Sequence, residues 1–328
     1  MKAIIYGTYG PPEVLHVSDV DKPVIGVDDV LIRVHAAEAT KADCELRSFR
    51  FPVKWFWLPM RIGWGVSRPR NPVLGGYFSG TVEAVGRNAS RLKVGDDVFG
   101  CAGLRMGAYG EYVRLPAGST ICPKPDNVSF EQAASIPLGG LNALHFLRRA
   151  NIRRGETVLV NGAGGSIGLF AVQIAKSMGA EVTAVDHGRK ETMLRGVGAD
   201  RFIDYTKEQF ARCGRSWDVI LDMVVKSSYT DCVGSLTPTG RYLMGNPRLS
   251  DMARAIATTR LTGRTAIFAF ARETQEELLA LKAMVEEGKI APVVDRVYAM
   301  EQAAEAHRRV ETEQRSGSVV ISLTGEST

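Results

Sequence analysis

Residues 161–168, Asn-Gly-Ala-Gly-Gly-Ser-Ile-Gly, stand between the apolar run Thr157-Val158-Leu159-Val160 and a stretch where Ile167, Phe170, Ala171, Ile174 and Met178 recur at helical spacing. A strand that passes through so bare a turn straight into a helix fixes the local architecture as the opening of a β-α-β unit. Glycine keeps side chains out of the way there, so main-chain N–H groups at the helix's positive end can meet a diphosphate. In a G-x-G-x-x-G frame Gly162 and Gly164 fill the first two places, but Ile167 takes the third; the frame that fits is Gly162-x-x-Gly165-x-x-Gly168. A glycine match alone is often just a tight turn, and context decides: strand, turn and helix follow here in the required order. Gly162, Gly165, Ser166, Ile167 and Gly168 are therefore candidate dinucleotide-binding residues.

The next apolar segment, Glu181–Asp186, ends in an acid about 20 residues past the loop, where a carboxylate can accept hydrogen bonds from a ribose diol. Asp186 by itself selects NAD. Arg189 and Lys190 follow closely and can pair with a 2′-phosphate, or serve only as solvated charges at a helix start. The residues themselves leave NAD and NADP open. Strand-like and helical stretches keep alternating through Arg201–Tyr205 and Asp218–Val224, which calls for a parallel sheet with crossover helices. Arg272–Glu287 reads as a helix from the spacing of Leu278, Leu281, Met284 and Val285, and Val319–Ser322 as a strand.

Before this α/β region the rhythm differs. Val30–Val34, Gly80–Val85 and Asp97–Phe99 are short, β-branched and bounded by turn residues, predicting a β-rich domain that ends at Pro123-Lys124-Pro125-Asp126. The length of 328 residues suits two domains. A formal charge of +5, with both signs interspersed, gives no basic stripe and argues against nucleic acid as a partner. No run reaches the ~18 apolar residues of a membrane span, and the short apolar start is no signal-peptide core, so a cytoplasmic protein is expected. Cys44, Cys101, Cys122, Cys213 and Cys232 are odd in number and scattered without a CxxC pair, as free thiols in a reducing compartment would be.

Taken together, "VLVNGAGGSIGLFAVQIAKSMGAEVTAV", "GADRFIDYTKE", "VGDDVFG", "GAYGEY", "IPLGGLNALHFL" and "EAHRRVETEQRSGSVVISL" resemble the medium-chain dehydrogenase/reductase family, in its zinc-free quinone oxidoreductase-like branch. The resemblance implies an α/β fold: a Rossmann domain with a doubly wound parallel sheet over 124–287, and a GroES-like β-rich catalytic domain over 1–123 completed by 288–328. It implies NADP as cofactor, with NAD possible. It also implies Asn142 near the nicotinamide, Tyr205 beside the adenosine phosphate, Val224, Met244 and Phe268 along the cofactor's inner half, and a homodimer. The substrate it implies is a quinone, enone or related hydrophobic carbonyl, reduced by hydride from NAD(P)H.

Zinc-dependent members of that family place a Cys in the segment matching Ala39–Asp43, then a Gly-His-Glu motif and a further Cys. This chain has Thr40, Gly75-Gly76-Tyr77, and Leu138 or Gly139 there, so the thiolate and imidazole donors of a zinc site are missing and no metal is expected. His35 and His145 have no partner at ligand spacing. An electron-poor acceptor needs only positioning and a proton. Thr40 and Tyr77 are candidates for the polar contact to substrate oxygen, with Asp43 or Cys44 behind them. Each has a plainer reading: Tyr77 as a residue packed beside Phe78, Asp43 as a helix cap, Cys44 as a small buried apolar residue. The tyrosine that enoyl reductases carry further along is replaced near Phe51. The Trp-rich stretch from Phe51 to Trp64, with Pro52 and Pro59 opposing a long regular helix, reads as core or subunit contact, or as an apolar lid. Two other functions stay open: a catalytically weak NADP-binding sensor or partner-binding protein, and a zinc-free alcohol dehydrogenase.

Overall fold

The computed structural model describes residues 1–51, 57–269 and 271–324. It divides into two compact units, one made of Met1–Leu138, Glu273–Glu286 and the chain from Pro292 onward, the other of Gly139–Arg272 and Glu287–Ala291.

The second unit holds a six-stranded sheet. Its strands, numbered along the chain, are β1 (Thr157–Asn161), β2 (Glu181–Asp186), β3 (Arg201–Asp204), β4 (Trp217–Asp222), β5 (Leu236–Met244) and β6 (Thr265–Phe268). They lie in the order β3-β2-β1-β4-β5-β6, all parallel. Val158-Leu159-Val160 and Val219-Ile220-Leu221 are buried without alternation, as expected of strands covered on both faces. Chain order reverses beside β1, the switch point where such sheets receive ligands at their carboxyl edge. Register places Asn161, Asp222, Met244 and Phe268 in one row along that edge. β5 goes unread in the sequence because Pro238 and Gly240 interrupt it, and only its final residues Tyr242, Leu243 and Met244 form a buried run.

In the first unit the long strand Asp29–Ala39 organises a mostly antiparallel sheet. It pairs with Tyr77–Val85 and Tyr112–Pro116, and beyond an irregularity at Val34/Ala36 its end also pairs with Ser318–Ser322. That last strand runs parallel to Val294–Ala299, so the tail of the chain completes the sheet begun near its start. Tyr77–Val85 pairs in turn with Asp97–Cys101, and that strand with Ile121–Pro123. The helix expected over 272–287 spans Gln275–Glu286, and the Thr274 hydroxyl accepts from the Glu277 amide at its start (3.3 Å).

The Trp-rich stretch divides. Residues 52–56 lie outside the described residues, while Trp57–Trp64 forms a short helix that Pro59 permits because it falls in the first turn. Trp64 is buried and donates to the Tyr6 hydroxyl (3.0 Å), whereas Trp57 and Leu58 are exposed. Among the described residues, no helix is long and apolar enough to cross a membrane.

Candidate functional site

The turn after β1 is shaped by what its glycines omit. Gly162 has φ +82°, a conformation that disfavours any side chain. A Cβ on Gly168 would lie 2.4 Å from the Gly162 carbonyl oxygen and 2.6 Å from the Ala163 Cα, so this residue lets the helix start against the strand's end. A Cβ on Gly164 would meet Lys190 Cδ at 2.3 Å and Asp186 Oδ2 at 2.9 Å. Gly165 meets nothing closer than 3.7 Å, so the sequence frame missed Gly164, whose need for glycine comes from residues more than 20 positions away and not from local spacing. The helix Ser166–Ser177 begins at Gly165 with no side-chain cap, leaving its positive end suited to an anion. Gly139 lets a second helix approach this one: a Cβ there would lie 2.5 Å from the Ser166 carbonyl oxygen.

Asp186 and Lys190 are brought together, in an arrangement the sequence did not suggest. Asp186 Oδ2 accepts from the Gly164 amide (2.7 Å), and Oδ1 accepts from the His187 amide (2.7 Å) and lies 3.2 Å from Lys190 Nζ. Both side chains are buried, so the alternative of a solvated charge at a helix start does not describe Lys190. Arg189 is exposed beside them. Tyr205 is 58% exposed, its ring edge-on to His187 with centroids 6.1 Å apart. These side chains cluster at the ends of β2 and β3, with the glycine turn against Asp186.

At the switch point a buried polar network appears that sequence reasoning did not single out. Asp222 Oδ1 accepts from Asn161 Nδ2 (2.9 Å), the Ser227 hydroxyl (2.9 Å) and the Val224 amide (3.0 Å); Oδ2 accepts from the Tyr242 hydroxyl (2.8 Å). Burial pushes the Asp222 carboxyl above its usual range, against the pull of those hydrogen bonds. The network fixes the loop that carries Val224, whose Cγ2 is 3.2 Å from where a Gly162 Cβ would stand. Met244 is buried and Phe268 half-buried along the same edge, and Asn142 is half-buried on the helix Ile136–Ala150.

In the first unit, Thr40 and Asp43 meet as a helix cap. The Thr40 hydroxyl accepts from the Asp43 amide (3.1 Å) and donates to Asp43 Oδ2 (2.6 Å), which also accepts from the Thr40 amide (3.0 Å). Asp43 Oδ1 accepts from the Gly75 amide (3.1 Å), and the whole group is buried. Desolvation raises the Asp43 carboxyl above its ordinary range. Gly75 has φ +93°, and a Cβ there would lie 2.5 Å from the Tyr109 ring.

Tyr77 does more than pack beside Phe78. Its hydroxyl donates to Glu273 Oε1 at 2.6 Å, and Cys101, paired with Tyr77 across the strands, hydrogen-bonds to the same carboxyl. Burial raises Glu273 above the usual carboxylate range and holds the Tyr77 phenol well above its own. Glu273 escaped the sequence reading because nearly two hundred residues separate it from Tyr77. Thr120 Oγ1 donates to the Glu273 carbonyl (2.6 Å) and the Ile121 amide to Gln275 Oε1 (3.0 Å), anchoring the segment that carries it.

The donor set does not suit a zinc ion. Thr40 and Tyr77 are hydroxyls already engaged, and among the described residues no group of three or more His, Cys, Asp or Glu could hold a metal. Cys44 does meet His307 (3.4 Å), but inside the core, where Tyr109 holds the other imidazole nitrogen (3.1 Å) and burial drives His307 down to about 3.

A parallel sheet with a glycine cradle at its switch point, in a chain that also carries a β-rich unit closed by its own tail, defines a dinucleotide-dependent oxidoreductase. Residues 26–126 match the alcohol dehydrogenase GroES-like domain, and residues 197–321 match the family described as zinc-binding dehydrogenase. The chain is 31% identical to a quinone oxidoreductase of Pseudomonas aeruginosa, over 98% of this chain and 99% of that one. It is 30% identical to the 2-methylene-furan-3-one reductase of Solanum lycopersicum, over 98% of this chain and 79% of the relative. The solved structure of the quinone oxidoreductase from Coxiella burnetii superposes with a TM-score of 0.87 at 30% identity, covering 98% and 99% of the two chains. The chain belongs to the medium-chain dehydrogenase/reductase family, in its quinone oxidoreductase-like branch.

Proposed function

We propose that this protein reduces quinones, enones or related hydrophobic carbonyls with NADPH, needs no metal, and uses Tyr77 to protonate the acceptor oxygen. The observation that carries this reading is the phenol of Tyr77, at the position where the Gly-His-Glu motif of zinc-dependent relatives has its glutamate, held on a carboxyl at 2.6 Å. When bound, the reduced nicotinamide supplies a hydride. The chain's own residues do the rest. The uncapped helix start at Gly165, Ser166, Ile167 and Gly168, with Gly162 in the turn before it, receives the diphosphate, and Arg189, exposed beside the buried Asp186–Lys190 pair, offers the positive charge that a 2′-phosphate needs. Asn142 lies near the nicotinamide, Val224, Met244 and Phe268 line the cofactor's inner half, and Tyr205 flanks its adenosine phosphate, a reading supported by the half-buried Asn142 and Phe268, the buried Met244 and the exposed Tyr205. Thr40 and Asp43 hold the first turn of the Lys41–Ser48 helix and the Gly75 amide, two residues from Tyr77, and so position the proton donor.

The open edge of β6 and the exposed Leu249, Ile256 and Leu261 on the helix packed beside it support a homodimer joined along that edge. Mixing the protein with NADPH or NADH and a panel of small quinones and enones, while following nicotinamide absorbance, tests the activity. Consumption with NADPH is expected, and Tyr77→Phe lowers kcat at least tenfold. Tight NADPH binding with no turnover on any acceptor would replace this reading with that of a cofactor-binding sensor.

A further inference from the structure

We propose that Glu273 is a positioning residue and proton store for Tyr77, so that the acceptor oxygen draws its proton from a two-member relay. The inference rests on the role given to Tyr77 above and names how that tyrosine is kept supplied. Three observations converge. The phenol and carboxyl lie 2.6 Å apart, and Cys101 approaches the same carboxyl from the neighbouring strand. The segment carrying Glu273 is pinned at its main chain by Thr120, and at Gln275 by Ile121, which holds the carboxyl against the strand. Gly103, with φ +56°, lies against the other carboxyl oxygen: a Cβ there would stand 3.8 Å from Glu273 Oε2.

The charged and titratable neighbours that act most on the pair from adjacent strands are Cys101, with Cys122 beyond it, and Glu38, and each is an acid. In such surroundings a carboxyl keeps its proton at higher pH than usual. Once the acceptor has taken up hydride, its oxygen carries the negative charge. The Tyr77 hydroxyl turns its O–H from Glu273 Oε1 to the acceptor and accepts from the protonated carboxyl instead; the Tyr77 O–H bond then breaks as the acceptor O–H bond forms, the Glu273 O–H proton passes to the phenol oxygen, and the carboxylate left behind regains a proton from water. A neutral carboxyl is thus what lets a phenol of raised pKa act as an acid.

The test combines kinetics with infrared spectroscopy of the whole protein. In wild type the rate falls as pH rises past the usual carboxylate range, together with loss of the protonated-carboxyl band that Glu273→Gln removes. Glu273→Gln lowers kcat about tenfold and abolishes that limb, and Glu273→Asp restores part of both. Cys101→Ala, which removes a hydrogen bond favouring the ionised form, moves the limb to higher pH. A Glu273 band that titrates in the ordinary carboxylate range, or a Glu273→Gln enzyme with wild-type rate and pH profile, overturns the proposal. If Tyr77→Phe turns over normally, the reading of Tyr77 fails instead, and the infrared arm still shows whether Glu273 stores a proton.

Discussion

The aliphatic stem of Lys190 occupies the space that a side chain on Gly164 would need, with Lys190 Cδ 2.3 Å from the position of that missing Cβ. The glycine turn and the charges that follow β2 are therefore one packed object, and changes on either side act on both.

Three alanine substitutions in the turn should separate by what each Cβ strikes. Gly168→Ala meets main chain that cannot yield, and is expected to cost about 1–3 kcal/mol and most of the cofactor affinity. Gly164→Ala meets the movable Lys190 stem and the Asp186 carboxylate, and falls between. Gly165→Ala strikes nothing and costs at most about 1 kcal/mol as a helix N-cap change. Thermal unfolding and calorimetric titration with NADPH give the ranking; equal effects at all three would show that contact with the cofactor, not packing, sets the cost.

Arg189→Ala is expected to weaken NADPH by about tenfold, or ~1.4 kcal/mol, while leaving NADH nearly unchanged. Lys190→Ala is a poorer probe, because it strips a buried partner from Asp186 and should lower stability by about 3–5 kcal/mol as well. Titration of both variants with both cofactors measures the difference. Equal loss of NADH and NADPH in Arg189→Ala would place the phosphate contact elsewhere.

The buried Asp222 makes stability depend on pH in a definite direction. Its carboxyl is raised by burial, so between the unfolded value, about 3.9, and the higher folded value the native state holds a proton that the unfolded chain has lost. The stabilisation is complete below the unfolded value and is lost as pH rises through the folded one. Asp222→Asn keeps an acceptor for Asn161, Ser227 and Val224, and should flatten the fall of urea stability as pH rises above the ordinary carboxylate range. A curve as steep as wild type would assign the dependence to other buried carboxyls such as Asp43.

Thr40 offers a clean separation of cap from catalysis. Thr40→Val keeps the shape but removes the hydroxyl that both accepts from and donates to Asp43, and should cost about 1–2 kcal/mol. Thr40→Ser keeps the cap and should stay near wild type. If kcat drops sharply in Thr40→Ser without a change in melting temperature, Thr40 touches substrate directly.

Much of the α/β unit is legible in the sequence because its strands are continuous apolar runs and the helix after β1 keeps a regular period. The tail strand and the helix ending at Glu286 are legible for the same reason. The candidate site is less so. Asp186 and Lys190 can be named from spacing, yet that they neutralise each other depends on a turn that folds back over them. Thr40 and Asp43 carry the S/T-x-x-acid spacing of a capping box, and the structure realises it. Glu273 and Asp222 leave no local trace, since a carboxylate's role is decided by which distant donors reach it.

The strand Ser318–Ser322 fills the slot between Val294–Ala299 and Asp29–Ala39. A ribosome releases the receiving strand long before its partner, so for that whole interval one edge of that stretch of backbone waits with its amides and carbonyls bare. Closing so large a loop is slow, and a waiting edge invites the wrong neighbour. Production of this protein should therefore be governed less by its final stability than by how well the nascent chain is shielded until Ser318–Ser322 arrives.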